Sequence, residues 1–317
     1  MPPLFRSISI ENTKFFCTSQ GDARMRRIFI LLFLLCLTPS DLSICAQTTV
    51  SDRTLDITVG NGFWGALLPS YQIGSDQDSN PALSDDGDFF GYQGDLRLVR
   101  RFLHTRTAIE GRAFYGTAQS DNDNLVESME LIDPLSGNQI LLGEGRANLK
   151  TSLDHYGYDL GLRDTWRTRF GGLSAGCLFS YMNFDQSFDI SHTNDLVLVQ
   201  ELSSEFIGGK AVFGWDGLIR ECPALFDLTL GFYQLRADLI TDNPNTIGSV
   251  SDYLYANPVT IEASFTTWHD VSDVRVGTTL ALTHLDEMPQ LVHQPGEQTA
   301  IELDDGLMLK LMFEILL

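Results

Sequence analysis

Basic side chains, cysteines and long apolar runs are all scarce in this chain, and each scarcity removes a class of protein. Its 317 residues carry 21 Lys and Arg against 42 Asp and Glu, a formal net charge of −21. Nucleic-acid binding depends on neutralising phosphates, so such a partner is excluded. Three of the five cysteines fall within the first 46 residues, leaving Cys177 and Cys222. Two thiols in so long a chain are no disulfide scaffold. The longest apolar run, Ile28 to Leu37, falls short of the roughly 20 residues that a membrane-spanning helix needs.

That run reads instead as part of an export signal. Met25-Arg26-Arg27 precedes it, Thr38-Pro39-Ser40 breaks it, and Ser43-Ile44-Cys45-Ala46 ends in a small residue. A basic start, a short apolar stretch and a small residue before a cut define a secretory signal peptide. Translation is expected from Met25, with residues 1–24 dispensable and cleavage after Ala46. The exported part, 47–317, holds 16 basic against 39 acidic side chains. It is long enough for one large all-β domain.

From Thr54 onward, β-prone segments come in pairs. Strands are expected at 54–68, 92–103 with 106–117, 149–163 with 169–185, 198–216 with 222–239, 256–268 with 273–285, and 305–317, about ten in all. Connections within pairs are short. Those between pairs, 69–91, 118–148, 186–197, 240–255 and 286–304, are long and rich in Asp, Asn, Ser, Gly and Pro. This strict alternation sorts the connections to two ends, which a β-sandwich has no reason to do.

The expected strands are two-faced. Leu307, Leu309, Leu311, Phe313, Ile315 and Leu317 alternate with Met308, Lys310, Met312, Glu314 and Leu316. Period two puts the first set on one face and the second on the other. Phe226, Leu228, Leu230 and Phe232 likewise oppose Asp227, Thr229, Gly231 and Tyr233. Leu173, Ala175, Cys177, Phe179 and Tyr181 oppose Ser174, Gly176, Leu178, Ser180 and Met182. The segment 149–163 changes phase near Leu153 to Tyr156, as a bulge would, or as a strand above a membrane would. Trp166, Trp215 and Trp268 lie by the short connections, and Tyr71, Tyr92, Tyr115, Tyr181 and Tyr253 toward the long ones. Aromatics at two rims are what membrane interfaces collect.

On this facing, the interior of a closed sheet holds Asp56, Asp95, Glu110, Asp159, Asp227, Glu262 and Glu314 with Arg97, Arg101, Arg112, Arg163, Lys210, Arg275 and Lys310. Seven acids against seven bases imply internal ion pairs or a hydrated channel, because lone buried charges are costly. The net negative charge then belongs to the long loops. Asp76, Asp78, Asp85, Asp86 and Asp88 form a cation-attracting group with no basic residue in the loop. Asp76-Gln77-Asp78-Ser79-Asn80 begins like a calcium loop but lacks the glycine and distal glutamate of an EF-hand, so no cofactor is expected beyond Ca²⁺ at such loops. His155 is read as a lumen or rim histidine rather than the base of a lipase- or deacylase-like site. His104 and His269 are read as turn caps. Cys177 faces outward on this assignment and Cys222 begins a non-adjacent strand, so no disulfide between them is expected.

These features together resemble outer-membrane porin-like β-barrel proteins. The resemblance is one of architecture and rests on the signal segment, paired strands, loop asymmetry and terminal strand. It implies an antiparallel up-and-down transmembrane β-barrel with long extracellular loops and short periplasmic turns. It also implies a monomer in outer-membrane lipid, delivered by the barrel-assembly machinery. One departure is the terminal Leu317, where such barrels usually end in an aromatic residue. The expected function is a narrow passive pore for ions or small solutes, or a structural surface barrel, and not an enzyme. Asp121-Asn122-Asp123 is similar to the Asp pair of omptin proteases. Their second pair has no match here, because Asp189 and His192 lie one loop early and at the wrong spacing. That leaves an omptin-like hydrolase and a soluble secreted β-protein as alternatives.

Overall fold

Bulky and small side chains alternate along almost every stretch of this chain after Thr54, and the backbone follows them into strands. The computed structural model describes residues 55–75, 81–85, 87–102, 105–126, 128–132, 139–193, 195–242, 249–272, 274–292 and 299–317. The expected signal peptide, Asp76, Asp78, Asp86 and His104 lie outside them. The elements are β1 (Leu55–Leu67), β2 (Tyr71–Ser75), β3 (Pro81–Asp85), β4 (Asp88–Arg101), β5 (Thr107–Val126), β6 (Met129–Ile132), β7 (Gln139–Leu142), β8 (Gly145–Thr168), β9 (Gly171–His192), β10 (Asp195–Ile219), β11 (Cys222–Asp242), β12 (Ser249–Ala256), β13 (Val259–Val271), β14 (Val274–Val292) and β15 (Ala300–Leu316).

Ten of these strands close on themselves. The order β10-β9-β8-β5-β4-β1-β15-β14-β13-β11 is completed by β10 pairing with β11, and every pairing is antiparallel. The fold is therefore an up-and-down β-barrel with no unpaired edge around its lower wall. The first and last strands meet, Thr58 opposite Leu316 and Leu67 opposite Leu307. β12 continues β13 upward along β11 after a break at Asn257-Pro258.

The short connections are tighter than the sequence pattern implies. β8 turns into β9 through Arg169-Phe170, and β10 into β11 through Arg220-Glu221. Both Arg220 and Glu221 have positive φ, 49° and 72°. That is the two-residue turn whose twist matches the flanking strands. His269, expected in a turn, sits within β13 and is exposed.

The strands also run well into the segments expected to be long loops. β8 and β9 pair without a shift from Thr168–Gly171 to Ala147–His192. The phase change expected near Leu153 to Tyr156 is therefore not a bulge. Leu149, Leu153, His155, Asp159 and Arg163 keep one parity and are all buried. What changes along the strand is the polarity of each face. Below Tyr156 the outward residues Tyr158, Leu160 and Leu162 are exposed and apolar; above it the inward residues are the apolar ones.

Two hairpins fill segments expected to be loop. β2 and β3 pair, β6 and β7 pair, and β2 meets β6 at Ser75–Glu130, giving a four-stranded sheet β3-β2-β6-β7. Its buried Tyr71, Leu83, Met129 and Leu131 join Leu149, Phe188, Ile190, Leu198, Leu202, Leu239, Leu291 and Ile301 of the tall strands in one apolar cluster.

Candidate functional site

The barrel interior is where the sequence-derived residues meet, and it is divided into two layers. The lower layer is ionic. Arg97 bridges Glu110 at 2.7 Å, and Arg163 reaches Glu110 at 3.4 Å and also Asp227. Arg112 bridges Asp95 at 2.6 Å and lies 3.8 Å from Glu262. Lys210 contacts both oxygens of Asp159, at 2.9 and 3.0 Å. Arg101 pairs with Asp56 at 2.5 Å at the open lower rim, where half of the Arg101 side chain is in solvent.

Arg275, Glu314 and Lys310 have partners outside this set of bridges. Arg275 bridges Asp270, near the lower turn, at 2.8 Å rather than an acid deep in the interior. Glu314 accepts a hydrogen bond from the Thr279 hydroxyl at 2.8 Å. Lys310 is buried, and its ammonium stands 5.1 Å from the centre of the Phe114 ring. That is within reach of the ring quadrupole. Arg112, Lys210, Glu262 and Lys310, with Phe114, Tyr233 and Met308, surround a cavity of about 20 Å³.

The upper layer is apolar and tightly filled. Trp64, Phe89, Phe114, Leu153, Met182, Phe184, Phe206, Leu235, Met288 and Met308 form a cluster across the bore. Gly116 makes room for the Trp64 indole, which a Cβ there would meet at 2.8 Å. The Trp64 indole N–H donates to the Tyr92 carbonyl at 3.1 Å. Phe206 meets Phe184 and Tyr233 edge-on, with ring centres 5.7 and 6.1 Å apart. Above this cluster, Tyr71 stacks on Phe188 at 4.0 Å, and its hydroxyl donates to Gln200. Gln200 in turn donates to Thr241 at 3.2 Å and to Thr299 at 3.1 Å. Burial raises the Tyr71 phenol well above its usual range. Tyr71, expected at a membrane rim, is thus a buried tie between the β2 hairpin and the barrel.

His155 lies inside the upper layer, fully buried. Its ring stacks on Phe184 at 4.3 Å and touches Phe114 and Trp64 at 4.8 and 5.6 Å. Among the described residues, neither ring nitrogen has a hydrogen-bond partner. A G-x-S-x-G string that sequence reading overlooked, Gly172-Leu173-Ser174-Ala175-Gly176, runs along β9. A hydrolase elbow needs a sharp strand-to-helix turn. Ser174 instead accepts a hydrogen bond from Arg163 at 3.0 Å.

The omptin-like residues do not converge. Asp121 and Asp123 are exposed on β5, and the Asn148 amide donates to both, at 2.7 and 2.5 Å. Asp189 and His192 are three residues apart on β9, hence on opposite faces. Of the acidic first loop, Asp85 ends β3 and Asp88 begins β4. Cys177 and Cys222 are both free thiols, and Cys177 is exposed on the outer face.

No protein family matches the sequence, and no curated protein does. Several solved outer-membrane barrels share the architecture. The outer membrane protease OmpT from Escherichia coli is 8% identical, over 86% of this chain and 98% of its own, with a TM-score of 0.43. The translocator domain of the autotransporter NalP from Neisseria meningitidis is 12% identical, over 93% and 95%, with a TM-score of 0.44. A FadL homologue from Pseudomonas aeruginosa is 8% identical, over 82% and 89%, with a TM-score of 0.28.

Proposed function

We propose that this chain is an outer-membrane barrel with a closed interior, which works through its surfaces rather than as an open pore. The observation that carries the proposal is the filled bore. An aromatic layer lies above an ion-paired layer, and the cavity between Lys310 and Glu262 is about 20 Å³. A space of that size holds about one water molecule. Ten strands are near the size at which side chains fill a barrel. Membrane residence is supported by the outward band of Phe63, Leu96, Leu160, Phe179, Phe213, Phe232, Ile261 and Phe313, all exposed. Tyr92, Tyr115 and Tyr158 stand at its upper limit. Outer-membrane lipid, an export signal and the barrel-assembly machinery are the partners this reading requires.

The test is conductance of the heat-modifiable, detergent-purified protein in planar bilayers. No steady current above that of the bare bilayer is expected. Stable small steps with cation selectivity would return the chain to the passive-pore reading. Recovery as a periplasmic monomer without detergent would sink the membrane reading itself. The hydrolase reading draws less support, because among the described residues His155 has no hydrogen-bond partner and Asp121 and Asp123 accept from the Asn148 amide.

A further inference from the structure

Above Pro258 the barrel wall parts. β13 pairs with β14 only as far up as Thr260 opposite Leu285. There β14 bulges between Leu285 and Met288 and goes on paired with β15. β12 pairs with β11 from Leu235–Ala256 to Asp242–Ser249, and among the described residues it has no hydrogen-bonded neighbour on its other side. At the base of the seam, side chains replace the ladder. Asp286 accepts from the Val259 backbone N–H at 2.6 Å, and Glu287 from that of Asn257 at 3.2 Å. Higher up, Ser251, Asp252, Tyr253 and Tyr255 are exposed. The Tyr253 N–H is held by the Asp252 carboxylate at 2.8 Å, and β15 passes close to part of β12; the remaining strand edge is a template for another strand.

Both sides of the seam are acidic. β12 carries Asp252, and the facing hairpin carries Asp286, Glu287, Asp304 and Asp305. The segments 249–259, 285–292 and 299–305 contain no Lys or Arg. Tyr253 and Tyr255 meet edge-on, ring centres 5.7 Å apart, on the exposed side of β12. We propose that β12 is a docking edge for an extended cationic peptide segment. The segment adds as a strand through main-chain hydrogen bonds. Its Lys and Arg side chains meet the acidic lips and the two tyrosine faces. A second copy of this acidic chain would be repelled by the same charges. The inference extends the reading that the barrel works through its surfaces.

The experiment uses the full, heat-modifiable protein in nonionic detergent and a labelled ten-residue peptide alternating lysine and valine. Fluorescence anisotropy should show binding that weakens as salt rises. Hydrogen exchange should show slower β12 amides in the complex. Asp252→Asn should weaken binding roughly two- to fivefold, the range of one exposed charge pair. In an antiparallel pair, neighbouring residues point their N–H groups to opposite sides. Of Ser251→Pro and Asp252→Pro, only one therefore blocks the open edge. That variant should keep the heat-modified shift and lose the amide protection. The proposal is overturned by equal binding of a glutamate–valine peptide, or by binding that leaves the β12 amides unchanged. It is also overturned by a dimer that slows those amides without peptide, or by no binding at all. Absence of binding with intact heat modification would leave the barrel reading standing.

Discussion

The lower and upper halves of the barrel wall use the same strands with opposite polarity. On β9 below the tyrosines, Cys177 and Phe179 face out and Ser180 faces in; above them, Asp185 and Asp189 face out while Phe184, Phe188 and Ile190 are buried within. β8 repeats this, with exposed Leu160 and Leu162 and buried Asp159 below, and buried Leu149 and Leu153 with outward Lys150 above. The period-two geometry fixes only which residues share a face. The surrounding solvent fixes which face is apolar. On the membrane reading proposed above, the apolar contact of the lower half is with lipid, and charges must pair inside. On the same reading water lies outside the upper half, and the strands there pack a conventional core. Between β8 and β9 one continuous ladder serves both, and no bulge marks the boundary there.

If the two interiors are built so differently, they should fail differently. Phe184 is fully buried against Phe206 and His155, so Phe184→Ala should cost about 3–5 kcal/mol. Breaking the lower layer should cost a similar amount. Asp159→Ala leaves Lys210 buried without its partner, a loss of about 3–5 kcal/mol. The rescue separates the two. Asp159→Leu combined with Lys210→Met should recover most of the stability, since a buried pair replaced by apolar groups is often neutral. No polar substitution should rescue Phe184→Ala. Urea titration of the heat-modified shift measures all of these. A double change as harmful as Asp159→Ala alone would mean that the ionic layer is structural in its own right.

The outer faces give the next contrast. Leu160 is 56% exposed in the apolar band, whereas Gln119 is exposed on β5 above it. Leu160→Arg should cost roughly 2–4 kcal/mol near the bilayer midplane. Gln119→Arg should change stability by less than about 0.5 kcal/mol. Assembly yield in outer-membrane fractions is the readout. Equal damage at both sites would place the membrane boundary higher than the tyrosines.

The ten-stranded antiparallel barrel and the order of facing were legible in the sequence because alternation needs no tertiary information. The apolar upper layer was not. Leu153, Phe184, Phe206 and Leu235 share parity with Asp159, Ser180, Lys210 and Thr229 on the same strands. Following that parity upward would have found the plug, but the sequence alone does not mark where the outer solvent changes. The β2–β3 and β6–β7 hairpins were hidden for another reason. They are only four or five residues per strand and derive their stability from the barrel core beneath them. Asp270 was not read as part of the interior, because it lies beyond the expected end of its strand at 268, yet it stands directly opposite Arg275 on β13 and β14 and bridges it.

The smallest effect is expected on the upper outer face, where it tests whether that surface is more than solvated wall. Asn148 holds Asp121 and Asp123 together, and Arg146 lies 3.4 Å from Asp123 with 70% of its side chain exposed. Exposed ion pairs and polar clusters contribute little, because water competes for every partner and salt screens the charges. Asn148→Ala should therefore shift stability by no more than about 0.5 kcal/mol. The two carboxylates it releases would simply hydrate. A loss several times larger would show that the cluster braces the wall between β5 and β8. Peptide hydrolysis by the purified barrel that Asp121→Asn abolishes without loss of the heat-modified shift would instead give the hydrolase reading the specific residues it now lacks.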